Sequence, residues 1–405
     1  MNRCLVCKNI VKPFINFGEM PIANAFICKK DINTEYKFEL KIGFCNECKM
    51  VQLFEQPARE KMFHENYSFF SSTSNYMIEH FKNFCKTVKL KQNLNDKSFV
   101  LELGCNDGIL LNNFKKSNIG CLGIEPSENV ADVAIEKGLN IIKEFFDKNL
   151  AEKILSKFSK TDTILSANVI CHIPYIHSIF GGVKTLLKEN GLFIFEDPYL
   201  GDVIEKTSFD QFYDEHVFLF SAISVRYIAN LYDLELIDVD PQITHGGSMR
   251  YTIAHKNSKQ ISTKVSKLIA KETNNGLDNM QTYTSFETKV NKIKKDLIDL
   301  LKELKKNGKK IVAYGATSKS TTVTNYFGID SSLIESIYDN TPIKQNKVSP
   351  GKYIPILPYE QFRNSNPDYV LLFAWNHSRE IFEKEREYMG KHRKWITYIP
   401  HVKIH

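Results

Sequence analysis

The chain has 405 residues, 42 % hydrophobic and 25 % charged, a composition that supplies cores for about two to four domains. No apolar run nears the roughly 18 residues of a membrane helix, and none follows Met1-Asn2-Arg3-Cys4 as a secretory leader requires, so a soluble cytoplasmic protein without membrane contact is expected. The net charge of +7 resides in residues 259–310, where 13 lysines face six acidic residues; arginine is absent there, the run reads as the solvated face of a helix, and nucleic acid is set aside as a partner.

The first lobe, residues 1–65, carries two Cys-x-x-Cys pairs, Cys4/Cys7 and Cys45/Cys48. In a reducing compartment two such pairs point to zinc rather than disulfides, because thiolates match Zn²⁺ in softness and four sulfurs complete a tetrahedron about 2.3 Å from one ion. With every ligand position filled by protein, the ion is expected to be structural. The lobe reads as poor in large apolar residues, so a metal staple would supply stability that a small core lacks.

Residues 66–256 alternate strand and helix, with strands expected at 98–103, 121–125, 163–167, 192–196, 235–239 and 249–255. That order predicts an α/β, doubly wound, Rossmann-like domain. Residues 257–306 follow as a Lys-rich helical connector, in which Phe286, Val290, Ile293, Leu297, Leu300, Leu301 and Leu304 recur mainly at spacings of three and four. A second βα unit opens at Lys310 and continues through strands expected at 334–338 and 369–373, which makes residues 307–405 a second, smaller Rossmann-like domain.

The turn after the first central strand, Glu102-Leu103-Gly104-Cys105-Asn106-Asp107-Gly108, departs from the dinucleotide pattern G-x-G-x-x-G. Asn106 and Asp107 stand where a pyrophosphate needs close backbone approach, and a carboxylate there repels phosphate. The same turn suits a cofactor with an ammonium, a cationic sulfur and no phosphate. Glu125, about 20 residues on, is placed to accept both ribose hydroxyls. S-adenosyl-L-methionine is therefore expected in preference to NAD, while Asp107 could equally cap a helix.

Further segments stand in a definite order: the 67–74 run Tyr-Ser-Phe-Phe-Ser-Ser-Thr-Ser, Gly123-Ile124-Glu125-Pro126-Ser127, Asn168 with His172, Phe195-Glu196-Asp197-Pro198-Tyr199, Tyr213-Asp214-Glu215-His216, His245-Gly246-Gly247-Ser248 and the 314–322 run Tyr-Gly-Ala-Thr-Ser-Lys-Ser-Thr-Thr. With the paired cysteines and the Glu102–Gly108 turn, nearly the whole chain resembles the sugar C-methyltransferases that build branched deoxysugars on nucleotide-activated 4-keto sugars. The resemblance implies methyl transfer to carbon, most naturally C-3 of a nucleoside-diphosphate 4-keto-deoxysugar, through an enolate. Such chemistry needs a base beside the carbon, a donor for the enolate oxygen and a methyl held in line.

Carried over position by position, His216 resembles the general base and Tyr213 its acid/base partner, with Glu215 contacting the sugar or orienting the histidine. Asn168 and His172 would line the pocket at the methyl group, and His245 would add substrate contacts. The small residues from Gly315 to Thr322 join a strand to a helix, whose free N–H groups could cradle a diphosphate beside Lys319. An O- or N-methyltransferase acting on another small acceptor and a non-catalytic nucleotide-sugar binding protein are the competing readings.

Overall fold

The computed structural model describes residues 3–63, 67 and 70–405. The expected lobe boundary at 65/66, and Ser68 and Phe69 of the 67–74 motif, lie outside the described residues. In chain order the strands are β1 (Val11–Pro21), β2 (Lys37–Cys45), β3 (Val51–Leu53), β4 (Phe99–Leu103), β5 (Gly120–Ile124), β6 (Ile141–Ile142), β7 (Thr161–Ala167), β8 (Leu187–Pro198), β9 (Phe218–Leu219), β10 (Leu234–Gln242) and β11 (Ser248–His255). They continue as β12 (Ile311–Tyr314), β13 (Ile337–Asp339), β14 (Ile356–Pro358), β15 (Tyr369–Leu372), β16 (Lys394–Thr397) and β17 (Lys403–Ile404).

Three sheets result. The central one runs β10-β11-β8-β7-β4-β5-β6, parallel from β8 to β6 and closed by the antiparallel β11 and β10. The middle strand of its parallel part, β4, is buried along nearly its whole length, as expected for a parallel strand covered on both faces. The C-terminal sheet runs β14-β13-β12-β15-β16-β17, parallel except for the last strand. Its second strand starts at Ile337, later than the expected 334, because the Asp330 carboxylate and carbonyl hold Ser332, Leu333 and Ile334 in a turn.

The N-terminal sheet, β1-β2-β3-β9, corrects one expectation. Far from poor in apolar groups, it buries Phe14, Ile15, Phe17, Met20, Phe38, Leu40, Ile42 and Phe44. They do not close a core alone. They meet the helix Met280–Lys306, whose Tyr283 ring lies 5.0 Å from Phe14 and 4.6 Å from Phe44 between centroids. That helix, started by the Asn279 side chain accepting from Gln281 N, buries Tyr283, Phe286, Val290, Ile293, Leu297, Leu301 and Leu304 and leaves its lysines outside. It is a core element as well as a connection. Among the described residues, no helix is long and apolar enough to cross a membrane.

Candidate active site

A cavity opens at the carboxyl ends of β4, β5 and β7, where open α/β sheets bind ligands. Of the expected residues, Glu102, Gly104, Asn106, Glu125, Asn168, His172 and His245 line it. Gly104 has φ +66°, and a Cβ there would lie 2.3 Å from Val169 Cγ2, so only glycine lets the turn pass beneath the loop after β7. Glu125 accepts the N–H of Asn106 at one oxygen and that of Ser127 at the other, both at 2.9 Å.

Glu102 Oε2 is buried without a hydrogen-bond partner among the described residues. Burial pushes Glu125 above the usual carboxylate range and Glu102 well above it, and no ion pair joins either to a described residue. Two buried acids and an orphaned oxygen suit a ligand carrying cationic groups and ribose hydroxyls. Asp107 is turned away from the cavity. Its carboxylate accepts Ser72 N at 3.0 Å and the Ser72 hydroxyl, and so fastens residues 71–72 over the turn, with Lys137 Nζ 3.8 Å away.

The turn from Asn168 to His172 is held by Asp197, whose oxygens accept Val169 N at 3.1 Å and Cys171 N at 3.0 Å. Burial pushes Asp197 up to about 8. His172 stacks on His216, with ring centres 5.3 Å apart. Behind that ring, outside the open cavity, sits the Tyr213–His216 run. His216 Nδ1 lies 2.7 Å from Gln211 O and Nε2 lies 2.8 Å from the Tyr213 hydroxyl. A carbonyl oxygen only accepts, so Nδ1 carries the proton, and Nε2 offers its lone pair to the Tyr213 O–H. Burial pulls His216 well below the ordinary imidazole value, and pulls His172 and His245 to about 3.

The N-terminal lobe positions this cluster. Ala23 N donates to Asp214 at 2.8 Å, and Asn24 Nδ2 to Glu215 at 2.6 Å. Gln56 Nε2 donates to His172 O at 3.0 Å and Asp214 O at 3.3 Å. Immediately after His216, β9 pairs with β3. Sequence reasoning missed these anchors, because they lie more than a hundred residues from their partners and carry no motif.

On the side of the C-terminal sheet, the loop before the helix Ser318–Phe327 is less open than expected. Ala316 N already donates to Asp339 at 2.7 Å and Ser320 N to the capping Thr317 hydroxyl at 3.1 Å. Ser318 reaches Asn24, Thr321 reaches Ala23 O and Thr322 reaches Phe212 O, which fixes the first turn against the Tyr213–His216 run. Lys319 is only 9 % exposed, its ammonium 6.0 Å from the centre of the Trp375 ring. Lys344, missed in the sequence, donates to Ala316 O at 2.9 Å. Asp210, also missed, accepts Trp375 Nε1 at 2.7 Å and the Tyr398 hydroxyl at 2.6 Å.

At the far end of the N-terminal lobe the sulfurs of Cys4, Cys7, Cys45 and Cys48 all lie within 4.8 Å of one another, with contacts of 3.4 Å (Cys4–Cys48) and 3.3 Å (Cys7–Cys45). A tetrahedron with 2.3 Å arms has edges of about 3.8 Å, so the donor set fits one zinc ion with no open position. Leu5 N, between the first pair, donates to Gln52 of β3 at 2.8 Å, which links the metal knuckle to the strand that holds β9.

Three family models match the chain in order: a zinc binding domain over residues 4–63, a methyltransferase domain over 84–239 and a C-methyltransferase C-terminal domain over 243–400. The chain is 28 % identical over 407 aligned positions to the C-methyltransferase NovU of Streptomyces niveus, covering 100 % of this chain and 97 % of that protein. An S-adenosylmethionine-dependent methyltransferase structure from Clostridium acetobutylicum matches 46 % of this chain and 94 % of its own at 15 % identity and a TM-score of 0.36. The SAM-bound magnesium protoporphyrin IX methyltransferase of Synechocystis matches 44 % of this chain and 79 % of its own at 14 % identity and a TM-score of 0.35.

Proposed function

Because the chain belongs to the S-adenosylmethionine-dependent C-methyltransferases that carry an N-terminal zinc binding domain, we propose that it methylates a nucleoside-diphosphate 4-keto-deoxysugar at C-3 through an enolate. When bound, S-adenosylmethionine supplies an electrophilic methyl on a cationic sulfur. Glu102, Gly104, Asn106, Glu125 and Asn168 are the residues to hold it, and Asp107 serves by keeping residues 71–72 over the same turn. The zinc ion is structural and remote from this chemistry.

The observation that carries the reading is the His216–Tyr213 pair. Oxygen and nitrogen acceptors already own a lone pair, whereas carbon must first lose a proton, so a dedicated base favours carbon. His216 presents an unprotonated Nε2, and burial keeps it neutral at pH 7. Tyr213 donates to that nitrogen and can pass its own proton along the same bond. Glu215, tied to Asn24, is placed to contact the sugar, while His172 and His245 close the space between the two ligands. Buried Lys319 and half-buried Lys344 are the cations available to an anionic acceptor.

The test is hydrogen exchange. In D₂O, with S-adenosylhomocysteine bound and no methyl donor, the enzyme should exchange the acceptor hydrogen next to the ketone. His216→Asn should abolish both exchange and methyl transfer while cofactor and acceptor still bind. Exchange at the wild-type rate in that variant moves proton removal elsewhere, with His172 the first candidate. A methylated hydroxyl with no exchange turns the assignment to O-methylation.

A further inference from the structure

We propose that Lys319 is the donor that stabilises the enolate, its ammonium meeting the enolate oxygen, and that it does not serve as a ligand of the acceptor's diphosphate. The inference rests on the keto-acceptor reading above. Lys319 stands on a helix turn fixed on both sides, through Ser318 and Thr321 to the N-terminal lobe and through Thr322 to Phe212 O. Its ammonium faces Trp375 at 6.0 Å. The indole N–H of Trp375 is bonded to Asp210, next to the Gln211 carbonyl that fixes His216. The ring edge of Trp375 lies so close to Gly246, beside His245, that a Cβ there would approach it to 2.5 Å. The lysine is therefore enclosed by segments that end on the proposed base and on the cavity wall.

Within this enclosure Lys319 has no carboxylate at ion-pair distance among the described residues. A buried cation is costly unless an anion meets it. Burial lowers the Lys319 ammonium and Asp210 opposes that shift, while the lysine's charge helps to depress His216, His245 and His377. Of the two anions a keto-sugar nucleotide brings, the diphosphate needs several donors, yet Ala316 N and Ser320 N are already bonded and the lysine bonded to that loop is Lys344, from residues 342–344. The enolate needs one strong donor. Tyr213 gives its proton to His216, and the neighbouring His172 is neutral, so the charge falls to Lys319.

In this step the Tyr213 oxygen takes the α-proton as the Tyr213 proton passes to His216 Nε2, the C–H pair becomes the C=C bond, and the carbonyl π pair moves to the oxygen beside Lys319. As the carbon bonds the methyl, that pair re-forms C=O, the sulfur keeps the S–C pair, and the proton leaves through His216 and Tyr213 to solvent.

The experiment compares Lys319→Met and Lys319→Arg with the wild type in D₂O. It reads exchange at saturating acceptor with S-adenosylhomocysteine bound, and the Ki of thymidine diphosphate as a competitor, with zinc content and cofactor affinity as controls for folding. Lys319→Met should slow saturated exchange by about 10²–10³-fold, as for loss of one oxyanion donor. It should change the thymidine diphosphate Ki by less than about threefold, and Lys319→Arg should fall between. Should Lys319→Met fail the folding controls, Lys319→Gln is read by the same criteria. Unchanged saturated exchange with a Ki and KM raised about tenfold overturns the proposal and restores the diphosphate role. A wild-type enzyme that exchanges nothing and methylates a hydroxyl defeats the keto-acceptor reading itself.

Discussion

At His216 two hydrogen bonds settle what the ring can do. The Gln211 carbonyl claims the Nδ1 proton, and the Tyr213 hydroxyl points at the lone pair on Nε2. The residue type alone suggests a base titrating near 6.5, but burial, helped by His172 and Lys319, lowers it well below that value. A base works only when unprotonated, so kcat/KM should fall as pH drops through the lowered value. It should change less than about twofold between pH 7 and 6, where a free imidazole becomes roughly three-quarters protonated. A pH–rate profile half-lost near 6.5 would contradict the buried geometry.

In the proposed site the two oxygens of Glu125, each already accepting one backbone N–H, hold the ribose, so Glu125→Ala should weaken cofactor binding by roughly 1.5–3 kcal/mol in calorimetry. Unchanged affinity removes it from the site.

Elements differ in how plainly the sequence announces them. β4 with its turn is readable because an apolar run, a glycine with positive φ and an acid at the next strand end must stand close in sequence to work. β1 and β2 are not readable in that way. β1 has irregular register against β2 near Pro13 and Asn16, and the partner of their apolar face, the helix Met280–Lys306, lies more than 230 residues away. The metal knuckles are the clearest local signal in that lobe. In each, the residue after the second cysteine (Lys8, Lys49) turns left-handed and returns its N–H to the carbonyl of the first, at 3.0 and 2.9 Å. Structural zinc sites contribute about 10–16 kcal/mol in isolated peptides. Cys45→Ser should therefore lose the ion, lower the thermal midpoint and weaken activity through the strand that holds β9. Metal analysis and a melting curve decide it: zinc-free wild-type protein, or a metal-free variant melting like wild type, would refute the assignment.

Across the whole molecule three sheets meet at one cluster. Asn24, from the N-terminal lobe, donates to Glu215 and accepts from Ser318 of the last domain, so it ties all three together. Asp210 does the same between the central region and the C-terminal residues Trp375 and Tyr398. The Tyr213–His216 run stands out in the sequence because four chemically loaded residues are consecutive. What encloses it was not, since Ala23, Asn24, Gln56, Lys344 and Trp375 have ordinary local contexts and acquire meaning only through topology. The account rests on carbon being the methylated atom. Its most direct test is one turnover experiment with S-adenosylmethionine labelled with carbon-13 in the methyl group and a panel of TDP- and GDP-4-keto-6-deoxysugars, the product read by NMR. The expected product carries the labelled methyl on the carbon beside the ketone, with that carbon's hydrogen lost; a labelled methyl on oxygen or nitrogen, with the hydrogen retained, would contradict carbon methylation.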